Sequence, residues 1–264
     1  MPLDLQQPDP RRDPTGIDAF KPAEVAKRIE DAGATKAALH ALPLAVLSVM
    51  AGIFISLGAA AFTAVVTGTD LAYGPTRFLG GLVFSLGLVL VVVAGAELFT
   101  GNALIVMAWV DRKVSTSALL RNWAFAFVGN LVGALIIVAL MKASGLFGGP
   151  PGETARKIAL AKISISFPEA LVRGILCNMM VCLAVWLTVA ARSAADKILA
   201  ILLPIAGFVL LGYEHSIANM YLIAAAIWIV VCIALIRAYP LALTEALHKR
   251  RFGDKGILLT DSAS

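Results

Sequence analysis

The chain alternates long apolar runs with short polar connections. A helix needs about 20 apolar residues to cross a hydrocarbon core of ~30 Å, and Ala41–Val66 has that length without a charge. Trp123–Met141 and Gly174–Ala191 read as two more ordinary spans. Two runs are longer. Phe78–Val110 holds a single charge, Glu97, and Ile198–Ile236 holds one acid, Glu214, and one histidine, His215. As straight helices they would reach roughly 50 and 58 Å at ~1.5 Å per residue, well beyond the bilayer. Each must tilt, turn back or break, and the polar residues near each middle favour a break. Non-helical backbone at membrane depth persists only where protein buries it or where it lines a wet cavity. Broken helices therefore predict a substrate path.

The two breaks echo each other. Gly95-Ala-Glu97-Leu-Phe-Thr100-Gly101-Asn102 matches Gly212-Tyr-Glu214-His215-Ser216-Ile-Ala-Asn219 at Gly, Glu and Asn, at an offset of 117 residues. Upstream, Ala51-Gly52-Ile53 and Arg173-Gly174-Ile175 open two apolar spans at an offset of 122. The pattern predicts two related halves, each an ordinary helix followed by a broken one, meeting at a midplane site.

Composition agrees with lipid as solvent. The 264 residues are 59% hydrophobic and 15% charged, against roughly 25% charged in a soluble domain. The net charge of +5 is spread over loops and termini, without the one-sided basic cluster that nucleic acid requires. Cys177, Cys182 and Cys232 lie in apolar runs and read as packed, reduced thiols. No short apolar core precedes the first long run, so insertion is expected to use that span itself. Residues 22–39 read as a helix, with Pro22 at a favoured first position and Val25 and Ile29 on one face. Arg112, Lys113 and Arg121 mark the loop after the second span as cytoplasmic. The expected division is a cytoplasmic segment at 1–38, a transmembrane pore domain at 39–238 and a polar basic tail at 239–264.

The segments AGAELFTGN (94–102), KISISFPEALVRGILCNMMVCLAVW (162–186) and GYEHSIANM (212–220) resemble the formate/nitrite transporter family, and FVGNLVGAL (127–135) is similar to its third helix. The resemblance runs from about Phe20 to Met220. It implies an all-α, aquaporin-like bundle with two discontinuous helices, six helices per subunit, a pore in each subunit and a homopentamer. It further implies cytoplasmic termini, a bacterial-type inner membrane, and formate, nitrite or hydrosulfide as substrate. The family's use of the N-terminal helix is as a cytoplasmic cap or subunit contact; from the residues alone, an interfacial amphipathic helix is the other reading. One feature departs from the family. Shifting Gly129-Asn130 by the internal offset lands near Leu247-His248, inside a charged tail, where the family has its sixth helix. The run Ile198–Ile236 thus supports two parses. It is one broken helix with the chain truncated or rearranged after Met220, or it is two spans, Ile198–Tyr213 and Ser216–Ile236. The second parse leaves Lys249-Arg250-Arg251 inside, as the positive-inside rule prefers.

Glu97 and Glu214 need partners at membrane depth. They are expected as structural acceptors that tie the freed backbone N–H groups at the helix breaks, because acids lining an anion path would repel its cargo. His215 has an unperturbed pKa near 6.5, and it can donate a hydrogen bond to an anion or exchange a proton with it. The resemblance places a pore histidine at this position and a loop threonine at Thr100, whose hydroxyl could orient the imidazole. It puts the carboxamides of Asn178 and Asn219 beside that histidine. It makes Phe84 and Phe208 two aromatic gates, with Leu88, Leu98 and Val181 as aliphatic neighbours, and Lys162 a vestibule lysine that attracts anions. The expected function is a channel or transporter for small monovalent anions, with proton coupling through His215 as one mechanism. No catalytic, metal or cofactor motif accompanies these residues. An intramembrane enzyme would need a second histidine or a nucleophile with its base. A neutral-solute channel would leave Lys162 and His215 together without a reason. A family member without transport activity follows from the first parse.

Overall fold

The computed structural model describes residues 19–227, and all of its regular structure there is helical. Cys232, the basic tail and the residues that would decide between the two parses lie outside the described residues. The helices are α1 (Pro22–Ala37), α2 (Ala41–Val66), α3 (Tyr73–Ala94), α4 (Ile105–Val110), α5 (Thr116–Ala143), α6 (Pro150–Ile163), α7 (Phe167–Ala190), α8 (Ala194–Leu210) and α9 (Ser216–Ile227). Among them α2, α3, α5 and α7 are long and apolar enough to cross a membrane.

Local chemistry starts these helices. Proline begins α1 and α6, where its missing N–H costs nothing. Ser115 Oγ accepts the Ala118 N–H at 3.2 Å to open α5. Ser193 and Asp196 exchange two bonds of 3.1 Å at the start of α8. Glycine stops α3 and α8. Gly95 and Gly212 sit at φ of 81° and 75°, a left-handed conformation that costs a side-chain-bearing residue roughly 1–2 kcal/mol. The long runs therefore break where the two echoing segments begin, and α3 continues as a turn at Asn102–Leu104 and the short α4.

Packing follows small residues. A Cβ on Gly52 would lie 2.1 Å from the Asn130 carbonyl oxygen, and one on Gly133 2.1 Å from that of Val49. Helices α2 and α5 consequently touch backbone to backbone. Helix α2 also packs on α3, α3 on α8, α7 on α8, and α1 on α4. The connection from Lys142 to Arg173, too charged to read as a span, contains α6. The two halves now align element by element: α1 with α6, α2 with α7, α3 with α8, and α4 with α9. Leu171, Ile175, Met179, Leu183 and Leu187 of α7 are about half-exposed, a face that requires apolar surroundings.

Candidate functional site

Each break is tied down by a lysine, a glutamate and an asparagine. At the first, Lys36 Nζ donates to Glu97 Oε1 at 2.5 Å and to Asn102 Oδ1 at 3.2 Å. Asn102 Nδ2 donates to Glu97 Oε2 at 2.7 Å and to Asn122 Oδ1 at 2.9 Å. Asn130 closes the other side: its Nδ2 donates to the Ser48 and Glu97 carbonyls at 2.7 and 3.0 Å, and its Oδ1 accepts the Phe99 N–H at 3.0 Å. At the second break, Lys162 Nζ and Asn219 Nδ2 both donate to Glu214 Oε2, at 2.6 and 2.8 Å. The lysines stand 126 residues apart, each five residues before the first residue of a span, at the ends of α1 and α6.

These contacts correct one expectation. The two carboxylates accept from lysine and asparagine side chains, not from freed backbone N–H groups. Within the first break Asn130 binds the Phe99 N–H and the Glu97 carbonyl, while the Glu97 N–H reaches the Leu47 carbonyl at 3.2 Å. A buried carboxylate is stable only when paired and hydrogen-bonded, and the flanking lysine and asparagine supply both conditions. Lys36, Asn102, Asn122 and Asn130 were not among the expected site residues. The signal for Lys36 was its place five residues ahead of a span, matching Lys162.

His215 stands at the start of α9, where its Nδ1 accepts the Ala218 N–H at 3.1 Å. An accepting Nδ1 carries no proton, so the neutral ring holds its proton on Nε2. Nε2 lies 3.4 Å from Thr100 Oγ1 in the first break, so the imidazole is turned toward the other half of the molecule. Phe84 and Phe208 meet edge to face at 5.8 Å between centroids, and lie 6.2 and 5.7 Å from the His215 ring. Leu88, Leu98 and Val181 belong to the same buried cluster.

Three cavities surround this centre. A large one of about 860 Å³ is lined by Lys36, Arg28, Arg192 and Lys197 together with Leu88, Leu98, Glu97 and Asn102. A small one of about 60 Å³ is lined by Arg77, Lys162, Tyr213, His215, Asn219 and both phenylalanines. Helix α3 passes Arg77 and Phe84 at the small cavity, then Leu88 and Val91 at the large one; α8 passes Lys197 at the large cavity and Phe208 at the small one. The two helices thus run in opposite directions between two cation-lined cavities, with the phenylalanine pair and the Thr100–His215 contact between them. The third cavity, of about 340 Å³, places Asn178 with Thr100, His215 and Glu214. Asn178 donates to Cys182 Sγ at 3.6 Å and stands on a different side of the imidazole from Asn219. Among the described residues, no group of three or more His, Cys, Asp or Glu side chains is placed to hold a metal.

Comparison with known proteins matches this geometry to a family. The sequence model of the formate/nitrite transporter family matches residues 23–247. That match continues past Met220, where the resemblance was expected to end. "Formate channel FocA" of Escherichia coli (strain K12) is 44% identical over 211 residues, covering 78% of this chain and 74% of that protein. "Formate channel BtFdhC" of Bacillus thuringiensis is 35% identical over 211 residues, covering 79% and 82%. Two solved structures share the fold. "Pentameric formate channel with formate bound" superposes with a TM-score of 0.65 at 42% identity, over 72% of this chain and 76% of that one. "FNT family ion channel" superposes with a TM-score of 0.71 at 29% identity, over 77% and 82%. The expected aquaporin-like, all-α bundle with two discontinuous helices is the fold of this chain, which is a multi-pass transmembrane member of the formate/nitrite transporter family.

Proposed function

We propose that the chain conducts small monovalent anions of the formate and nitrite class, hydrosulfide included, together with a proton. The observation that carries the reading is the order of groups along α3 and α8: a cation-lined cavity, an apolar waist with one hydrogen-bond donor, and a second cation-lined cavity. Cations at both mouths raise the local anion concentration. The waist between Phe84 and Phe208 is apolar, and stripping water from a bare anion there is costly. Taking up a proton at the mouth converts a weak-acid anion to a neutral molecule and removes most of that cost.

The hydrogen bonds of the His215 ring support a narrower part for it. A neutral imidazole with its proton on Nε2 is a donor to a substrate oxygen, not an acid strong enough to protonate it. To act as a proton donor the ring would first gain a proton on Nδ1 and give up the Ala218 N–H. The role proposed is therefore a hydrogen-bond donor held in one tautomer, with solvent at the mouths as the proton source. Thr100 orients the ring, Lys162 gathers anions, and Asn178, Leu88, Leu98 and Val181 shape the surroundings of the path.

The formate channel relative described as pentameric supports a homopentamer here, in a bacterial-type inner membrane, with residues 1–38 and 239–264 flanking the pore domain at 39–238. Reconstituted vesicles test the reading. Formate or nitrite flux should exceed chloride and acetate flux, with sulfate excluded. Equal glycerol and formate flux would replace it with a neutral-solute channel.

A further inference from the structure

Asn219 Oδ1 is a buried acceptor with no hydrogen-bond partner among the described residues. Its orientation is not ambiguous. Asn219 Nδ2 lies 2.8 Å from Glu214 Oε2, and a carboxylate partner at the membrane-embedded break, already paired with Lys162, only accepts; the amide nitrogen must face it. The equivalent atom in the first half is satisfied, since Asn102 Oδ1 accepts from Lys36. An unpaired buried polar atom costs about 1–3 kcal/mol, so the asymmetry between halves calls for a reason.

The lining of the small cavity supplies one. Asn219 lines it and Glu214 does not; with the amide nitrogen committed to Glu214, the oxygen is the end of the carboxamide left for a guest. Arg77 and Lys162 contribute cationic donors to the same space. Arg77 spends its Nε on the Val209 carbonyl at 2.9 Å, which leaves the rest of its guanidinium free to donate. His215 has its Nδ1 occupied and its Nε2 protonated. Apart from the Tyr213 hydroxyl, the acceptor left among the lining side chains is Asn219 Oδ1.

We infer that this cavity is a docking site for the protonated form of the cargo, in which Asn219 Oδ1 accepts the acid hydrogen while Arg77 or Lys162 donates to the other oxygen. A neutral carboxylic acid, or an anion that keeps an acidic hydrogen, fits both ends. An anion without a donor puts its charge against the lone pairs of Asn219. A volume of about 60 Å³ holds a molecule of a few heavy atoms and no more. Asn219 is thus a specificity-determining residue that reads the proton on the cargo. This rests on the weak-acid reading proposed above.

The test measures formate flux in vesicles carrying wild type, Asn219→Leu or Asn219→Ser, each checked for assembly by size-exclusion chromatography. The expected result is at least a tenfold fall in formate flux for Asn219→Leu, with a smaller fall for Asn219→Ser, which keeps an acceptor oxygen. Flux within twofold of wild type in Asn219→Leu, or an equal fall in both variants, overturns the docking role. Should Asn219→Leu fail to assemble, wild-type protein decides. Formamide, which donates N–H, should inhibit formate flux, and methyl formate, which accepts but cannot donate, should not. Equal inhibition by both, or by neither, overturns the proposal. Absence of wild-type formate flux refutes the transport reading itself, a separate result.

Discussion

Thr100 Oγ1 lies 3.4 Å from His215 Nε2 while His215 Nδ1 caps α9 through the Ala218 N–H at 3.1 Å, so a single ring joins the two broken segments. Asparagine is among the best N-cap residues, and His215→Asn should keep α9 and assemble. It should lose the Nε2 donor, whose hydrogen bond to a neutral cargo is worth about 0.5–1.5 kcal/mol, or roughly 2- to 10-fold in flux. Vesicle assays across pH separate two effects. Both proteins should keep the slope set by protonation of the cargo, and only wild type should show a further inflection from the imidazole, where a second ring proton displaces the Ala218 N–H. Identical curves would leave His215 a purely structural tie.

Thr100→Val keeps the shape of the side chain and deletes the acceptor that orients the ring. It should lower formate flux about threefold and leave the imidazole inflection in place. A complete loss of flux in an assembled protein would show that the hydroxyl contacts the cargo directly.

Phe84 and Phe208 meet edge to face at 5.8 Å, and on the proposed reading this pair narrows the waist. Phe84→Ala or Phe208→Ala should cost about 3–5 kcal/mol of stability and admit larger cargo. The acetate-to-formate flux ratio should rise several-fold in protein that still assembles, and an unchanged ratio would place the size filter elsewhere.

Lys36 is about one-third exposed and Glu97 almost fully buried, with side-chain accessibilities of 36% and 6%. Removing the cation leaves the carboxylate with Asn102 alone. Lys36→Met should therefore lower stability by roughly 3 kcal/mol, read as a fall in the detergent melting temperature. The double variant Lys36→Met/Glu97→Gln should recover a good part of it. A double variant no better than the single one would mean that the lysine contributes packing and not charge.

Gly133 meets Val49 backbone at a distance no side chain tolerates. Gly133→Ala should push α5 off α2 and cost at least about 1–3 kcal/mol. Gly74→Ala has open space around it and serves as the control, with unchanged yield and melting temperature.

Much of this architecture was legible because lipid makes length and charge informative. Runs of 33 and 39 residues had to tilt, turn back or break, and the acids near their centres favoured a break; the structure breaks both at a left-handed glycine, Gly95 and Gly212. The repeat was visible through Glu97 and Glu214 because their surroundings are otherwise uncharged. Lys36 was harder to see: it sits among other charges on an amphipathic helix, and only its place five residues ahead of a span, matching Lys162, sets it apart. Helix α6 was hidden by its many charges, which mask its period. The partners of Glu97 escaped because asparagine in an apolar helix offers the same signal whether it binds cargo or, as Asn130 does, backbone.

Among the described residues, the polar ties of Glu97 and Asn102 at the first break reach forward in the chain no farther than Asn130. Lys36, Ser48, Glu97, Asn102, Asn122 and Asn130 are all synthesised before any residue of the second half. During biogenesis the first broken helix can close on its own polar contacts while α7 has yet to leave the ribosome. The second break then forms against a surface already set, with Thr100 waiting to receive His215.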